Sequence, residues 1–371
     1  MNLTQRQRRL FALLLTIGLL VGLGLIRYHF QRSTVKHERD HLIALSEKTE
    51  KTSLQVGLYI DNIYLLTQST QTYDVDGWVW LRWPDALERE RIKHHFSPEQ
   101  FLNFANRVDD FESLLEPVYA DPQRQQDGSY YQRFRFSGHF YVQHQDYKRY
   151  PFLTLTLPVV MELPEILWQR GSIPLTLVAD TQHSGLGQFI DLEGFITQGL
   201  EIQRFQHQYA STFGEENTVN PEARPQLHFG VKYRQSFMAS FLKHFVPLIV
   251  VMVLSLAAPS LSANYWDARI GFPPTAILTL IFLQQGSRAD LPDLPYLTFI
   301  DMVYNTSYIA NMLLFIAFVW ASNTLHNAKD HERETTISKI DKVDSRIQIG
   351  LICFLTLMTL ANWLGTSWVV P

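Results

Sequence analysis

Five stretches of the chain carry no charged residue: 10–26, 245–266, 270–287, 302–325 and 347–371. Each is long enough to span, or nearly span, a hydrocarbon core of about 30 Å. From about Ser33 to Arg234 the chain is instead polar and aromatic-rich, and from Val56 onward polar and apolar residues alternate with the period of half-buried strands. Between Val75 and Trp83, one face carries Val75, Val79, Leu81 and Trp83. The other carries Asp76, Trp78, Trp80 and Arg82. The first set reads as a core face; two tryptophans on the second are unusual for a solvated one. Further strands are predicted over Arg133 to Val142, Phe152 to Met161, Ile202 to Tyr209 and Gln226 to Arg234. Turn pairs such as Asp121-Pro122 and Asn220-Pro221 separate them. A helix is predicted only over Pro98 to Phe111. Many short strands without regular helix alternation predict an antiparallel, immunoglobulin-like β-sandwich.

The expected organisation therefore has four parts. Residues 1–27 are a cytoplasmic N-terminus with a membrane anchor or signal peptide, and 28–53 a helical linker. Residues 54–236 are an extracytoplasmic β-sandwich, and 237–371 a four-helix transmembrane bundle with a cytoplasmic loop at 323–346. Arg6, Arg8 and Arg9 precede the first apolar run, which places the N-terminus in the cytoplasm. Lys329, Arg333, Lys339, Lys342 and Arg346 place the 323–346 loop on the same side, whereas the connection 288–301, with one Arg and three Asp, belongs outside. Run 10–26 reads either as an uncleaved anchor or as a signal peptide ending near Gly22-Leu23-Gly24.

Composition narrows the function classes. These runs exclude a soluble cytosolic enzyme, and 13% aromatic residues without low-complexity tracts exclude a disordered chain. The balance of 32 basic against 36 acidic residues argues against a nucleic-acid partner. The single cysteine, Cys353, lies in the last apolar run, so neither a disulfide framework nor a cysteine zinc site can be built. His94, His95 and His183 stand at no usable metal-ligand spacing. Asn305-Thr306-Ser307 fits a glycosylation sequon but lies inside a membrane run. Gly185-Leu186-Gly187 lacks the rest of any phosphate-binding loop, and no hydrolase, kinase or dinucleotide fingerprint is present. The expectation is a protein that is not an enzyme and has no cofactor or metal.

The order of parts resembles that of the prokaryotic pentameric ligand-gated ion channels, the branch of the Cys-loop receptor superfamily without the cysteines. Asp76 to Trp83 (DGWVWLRW) is similar to the family's second strand, and Tyr150-Pro151-Phe152 to the tip of its signature loop. Arg234 stands where the family has a basic residue before the first membrane helix, and Pro247 matches a proline in that helix. Leu291 to Asp301 (LPDLPYLTFID) is similar to the loop joining the second and third membrane helices. The resemblance covers roughly Val56 to Pro371. Leu153 departs from it, standing where an Asp usually follows the tip.

The resemblance implies a homopentamer in a bacterial inner membrane, its sandwich domain in the periplasm, opened by a small-molecule ligand to pass inorganic ions. From Gly271, steps of +4, +7, +11 and +14 place Thr275, Leu278, Phe282 and Gln285 on one helix face. In the family these would be pore-lining rings, with Leu278 and Phe282 closing the pore by dewetting; without it, the face reads as packing surface. A ring of Asp267 would favour monovalent cations, and Arg269 beside it either cancels that field or follows the positive-inside rule. Pro273-Pro274 predicts a helix start near Phe272 or Pro273. Ligand binding falls to Trp78, Trp80, His183, Phe213 and Phe229, with aromatic faces suited to an ammonium group. Trp78 and Trp80 also read as buried subunit-interface anchors. Tyr150, Pro151, Phe152, Arg234, Pro295 and Tyr296 would couple the domains. The alternative is a non-conducting membrane sensor or interaction protein on the same scaffold.

Overall fold

A computed structural model describes residues 41–44, 53–108, 113–142, 145–164, 175–211, 223–289 and 291–367. The expected anchor at 10–26, most of the 28–53 linker and Phe213 lie outside the described residues. The chain forms two units: Val35–Gln145 with Thr154–Ser236, and Asp146–Leu153 with Phe237–Pro371.

The first unit is built from two mostly antiparallel sheets. One orders β1 (His41–Ala44), β11 (Phe195–Gln208), β12 (Ala223–Gln235), β8 (Thr154–Glu162) and β4 (Asn103–Phe104). The other orders β10 (Gly185–Phe189), β2 (Ser53–Thr67), β3 (Thr72–Trp83), β7 (Tyr130–Tyr141) and β5 (Leu114–Pro117), with β6 (Gln123–Arg124) beside β7 and β9 (Thr176–Ala179) beside β2. Inward residues of both sheets, among them Val56, Val79, Leu81, Phe134, Leu157 and Val231, form one core. Two pairings depart from the expected antiparallel pattern, because β9 and β10 both run parallel to β2.

Burial along β3 alternates strictly, with Val75, Val79, Leu81 and Trp83 inside. Tyr73 and Gly77 take the other inward positions, Gly77 because a Cβ there would stand 2.3 Å from the Tyr59 carbonyl oxygen. Directly after β3, helix α1 (Asp85–Lys93) follows Pro84. Asp85 and Glu88 in its first turn and Arg91 and Lys93 in its last complement the helix dipole. That helix was not expected. Of the helix expected over Pro98 to Phe111, the described part, to Val108, holds one 3₁₀ turn, Pro98–Phe101, capped by Ser97 and Gln100, and 109–111 lie outside the described residues. Phe101, Leu102 and Phe104 are all buried, and the Ala105 amide donates to the Val160 carbonyl. Those anchors draw the chain out as an edge strand instead.

Among its described residues the second unit contains four α-helices: α2 (Phe237–Ala257), α3 (Trp266–Arg288), α4 (Phe299–His326) and α5 (Arg333–Ser367). Three segments, Phe237–Ser260, Phe299–His326 and Arg333–Gly365, are long and apolar enough to cross a membrane. Helix α3 is not among them. It begins at Trp266, not at Phe272 or Pro273, and carries both prolines inside it. The two prolines remove the amides that would have bonded the carbonyls of Arg269 and Ile270. An ion pair from Arg269 to Asp344 on α5 fastens the turn before them. The segment 323–346 is mostly helix too: α4 continues to His326 and α5 starts at Arg333, so only a short connection remains. Thr298 caps α4, accepting from the Asp301 amide while the Asp301 carboxylate accepts from the Thr298 amide.

Candidate functional site

Trp78 and Trp80 lie side by side on the outward face of the β2–β3–β7 sheet, within a grid set by strand register. Across from Arg82, Trp80 and Trp78 on β3 stand Gln55, Gly57 and Tyr59 on β2. On the other side stand Tyr131, Arg133 and Arg135 on β7. Gly57 is the one position in this grid without a side chain, and the Trp80 indole lies over it. A Cβ at Gly57 would come within 2.1 Å of Trp80 Cε2.

Past β9 the chain turns back over this platform. The Asp180 amide donates to the Val56 carbonyl, and Ser184 Oγ accepts from the Leu58 amide at 3.0 Å. These bonds carry Asp180 to Trp80, whose Nε1 donates to Oδ2 at 3.0 Å. His183 Nδ1 lies 2.9 Å from Asp180 Oδ1. Burial raises the Asp180 carboxyl, but hydrogen bonds from His183 and Trp80 together outweigh it and hold the group below the usual carboxylate range. Tyr59, Trp78, Trp80, Arg82, Tyr131, Arg133, Asp180 and His183 enclose a cleft of about 480 Å³, within the size range of small-molecule sites.

The cleft thus unites three of the expected ligand residues: Trp78, Trp80 and His183. Phe229 is a correction. It sits on β12 with no exposed surface, inside the sandwich core, because Leu227, Phe229, Val231 and Tyr233 share the inward parity of that strand. Arg133, Tyr131 and Asp180 were not anticipated, and only strand register and the turn after β9 bring them in. The sequence also gave no signal for a second polar cluster, on the other sheet. There the buried Glu162 carboxylate accepts from Tyr209 Oη at 2.8 Å and Gln226 Nε2 at 2.6 Å, and pairs with Arg224 at 3.4 Å. Among the described residues no group of three or more His, Cys, Asp or Glu is placed to hold a metal ion.

Within the helical unit, the segment Asp146–Leu153 packs against the loop before α4. The Tyr147 amide donates to Tyr296 Oη at 3.1 Å, and the Phe299 amide to the Lys148 carbonyl at 2.8 Å. The Ile300 amide donates to the Tyr150 carbonyl, and Tyr150 Oη lies 3.5 Å from His244 Nε2 on α2. A cis peptide bond joins Tyr150 to Pro151. The Phe152 ring stacks on Phe237 and Phe245. Leu153, where the resemblance would place an Asp, is buried with Leu248 and Phe299 in the helical core. Contact here therefore combines apolar packing with hydrogen bonds of the backbone and of the Tyr150 and Tyr296 hydroxyls. Pro295 is exposed on the same loop, and Arg234 is exposed near the end of β12.

Along α3, Asp267, Thr275, Leu278, Phe282 and Gln285 are all exposed, whereas Arg269, Pro273, Ala276, Leu280 and Ser287 are buried. Leu278 and Phe282 expose 56% and 64% of their surface against 0% for Leu280, which packs inside the unit. Thr275 Oγ1 donates to the Gly271 carbonyl at 2.9 Å, which leaves its lone pairs outward. Arg269 is turned away from Asp267: it pairs with the buried Asp344, and its guanidinium lies 4.6 Å from the Phe318 ring centre. No protein-family model matches this chain, and no curated protein is significantly similar to it.

Proposed function

We propose that the chain is one subunit of a homopentameric ligand-gated ion channel in a bacterial inner membrane, with the β-sheet unit outside. The observation that carries this reading is the two-faced character of α3. A helix among three apolar ones would ordinarily turn its polar residues inward and its leucines to lipid. Helix α3 instead leaves the polar residues Asp267, Thr275 and Gln285 uncovered, on one line with Leu278 and Phe282, while its opposite face is packed. Five copies with these lines facing a common axis would give an acidic mouth, a hydroxyl ring and two apolar rings, the parts of a gated cation pathway. Withdrawal of Arg269 into its pair with Asp344 leaves the Asp267 field uncancelled, which favours monovalent cations.

Ligand would bind at the Trp78–Trp80 cleft, closed by a neighbouring subunit. Its signal would leave through the segment Asp146–Leu153, whose tip is bonded to the loop that begins α4 and so lies next to the end of α3. Native mass spectrometry of the detergent-purified protein tests the assembly. Five copies are expected; a stable monomer or dimer removes both pore and interfacial site. A pentamer that passes no ion under any ligand would instead be the non-conducting sensor.

A further inference from the structure

If the cleft is the ligand site, its aromatic rings alone would suggest an ammonium ligand held by cation–π attraction. The structure fills that role from within. The guanidinium carbons of Arg133 and Arg135 lie 5.1 and 4.8 Å from the Trp78 ring centre. A further cation at this ring would find its faces already taken by two guanidinium groups, one of them, Arg133, without a carboxylate beside it to offset the repulsion.

The two arginines differ in what neutralises them. Arg135 is held between two carboxylates, Asp61 and Asp76. Arg133 has no carboxylate partner among the described residues. Its Nε is buried without a hydrogen-bond acceptor, and its guanidinium is fixed between the rings of Trp78 and Tyr119, 5.8 Å from the latter. Arg82, also lining the cleft, has among the described residues only a long, exposed ion-pair contact, to Asp127 at 3.9 Å. The one acidic group of the cleft, Asp180, is already engaged by Trp80 Nε1 and by both the ring and the amide of His183. The cleft therefore offers two guanidinium groups and no unengaged carboxylate, beside a flat aromatic floor where Trp80 lies over Gly57. A guanidinium held by stacking keeps its donors in the planar fork that matches a carboxylate.

We propose that this cleft binds a small aromatic or planar carboxylate, its anionic head on Arg133 and Arg82 and its ring against Trp80 and Trp78. The proposal rests on reading the cleft as the ligand site, but not on whether the protein conducts.

Calorimetric titration of the full-length purified protein with benzoate, benzylamine and benzyl alcohol tests it. These probes share a ring and differ in charge. Benzoate should bind at least tenfold more tightly than either of the others, and increasing salt should weaken it. Arg133→Gln should cost benzoate tenfold or more and leave benzyl alcohol nearly unchanged, while Arg133→Lys should retain part of the affinity. If Arg133→Gln does not fold, Arg82→Gln, at an exposed position, should still weaken benzoate severalfold. Tighter binding of benzylamine, no binding of benzoate, or benzoate binding indifferent to the arginine changes would overturn the proposal. Benzoate bound without ion flux would remove the channel reading and leave the anion site. Flux opened by benzylamine would do the reverse.

Discussion

Asp344→Asn isolates the charge arrangement on which the proposed cation selectivity rests. Arg269 and Asp344 expose 2% and 1% of their side chains, so the asparagine variant would leave a guanidinium buried with no counter-ion beside the Phe318 ring. Breaking a buried pair by removing one partner costs about 3–5 kcal/mol. For a unit the size of this helical domain, at roughly 2–4 °C per kcal/mol, the melting temperature should fall by about 6–20 °C. Scanning fluorimetry of the purified protein in detergent reads this directly. Replacing both partners by apolar residues, Arg269→Met with Asp344→Leu, should recover most of the loss, because a buried pair exchanged for packed hydrophobes is often neutral. By contrast Asp267→Asn, on an exposed face, should leave the melting temperature unchanged. A shift within about 2 °C for Asp344→Asn would refute the reasoning. Arg269 would then be in water, free to face Asp267 and cancel its field, and the proposed preference for cations would lose its basis.

Other parts of the molecule give independent tests. Tyr296→Phe leaves the Tyr147 amide without its acceptor, a loss of about 1–3 kcal/mol for a buried donor; in liposome flux it should change channel opening severalfold while benzoate titration of the cleft stays the same. Gly57→Val should evict Trp80 from β2, break its bond to Asp180 and shift tryptophan emission to the red, with benzoate affinity falling at least tenfold. Burial, aided by the nearby charge of His207, lowers His228 from 6.5 to about 4. The unfolded chain therefore binds a proton between those values that the native protein refuses, and stability should decline by about 3 kcal/mol as pH falls from 6.5 towards 4. His228→Phe should flatten that slope in thermal unfolding measured against pH.

Features set by one-sided burial were legible from the chain alone. Val75, Val79, Leu81 and Trp83 are on the inward parity of β3 because a sheet with one covered face enforces a period of two. The exposed line through Thr275, Leu278, Phe282 and Gln285 follows in the same way from the helical period. What was not legible depends on distant partners. Arg133 reaches Trp80 by strand register, and Asp344 reaches Arg269 by helix packing; no local pattern carries either. Helix α1 is short and only weakly two-sided, so its signs were the proline before it and the charges at its ends. Phe229 was within reach of sequence reasoning: Leu227, Phe229, Val231 and Tyr233 form the apolar parity of β12, which assigns all four to the core. An aromatic residue was there given a binding role by position, when its parity already placed it inside.

Conduction is tested most directly by cation flux from liposomes carrying purified Leu278→Ser protein without ligand. Leu278 is exposed on the line that also carries Phe282, and rings of both would form a constriction too apolar to hold water. A serine there should rehydrate the ring and give a constitutive cation leak well above wild type. Ile277→Ser, one residue away and half-buried, should not leak. If assembled Leu278→Ser pentamers stay silent, or if Ile277→Ser leaks in their place, the exposed face of α3 does not line a pore.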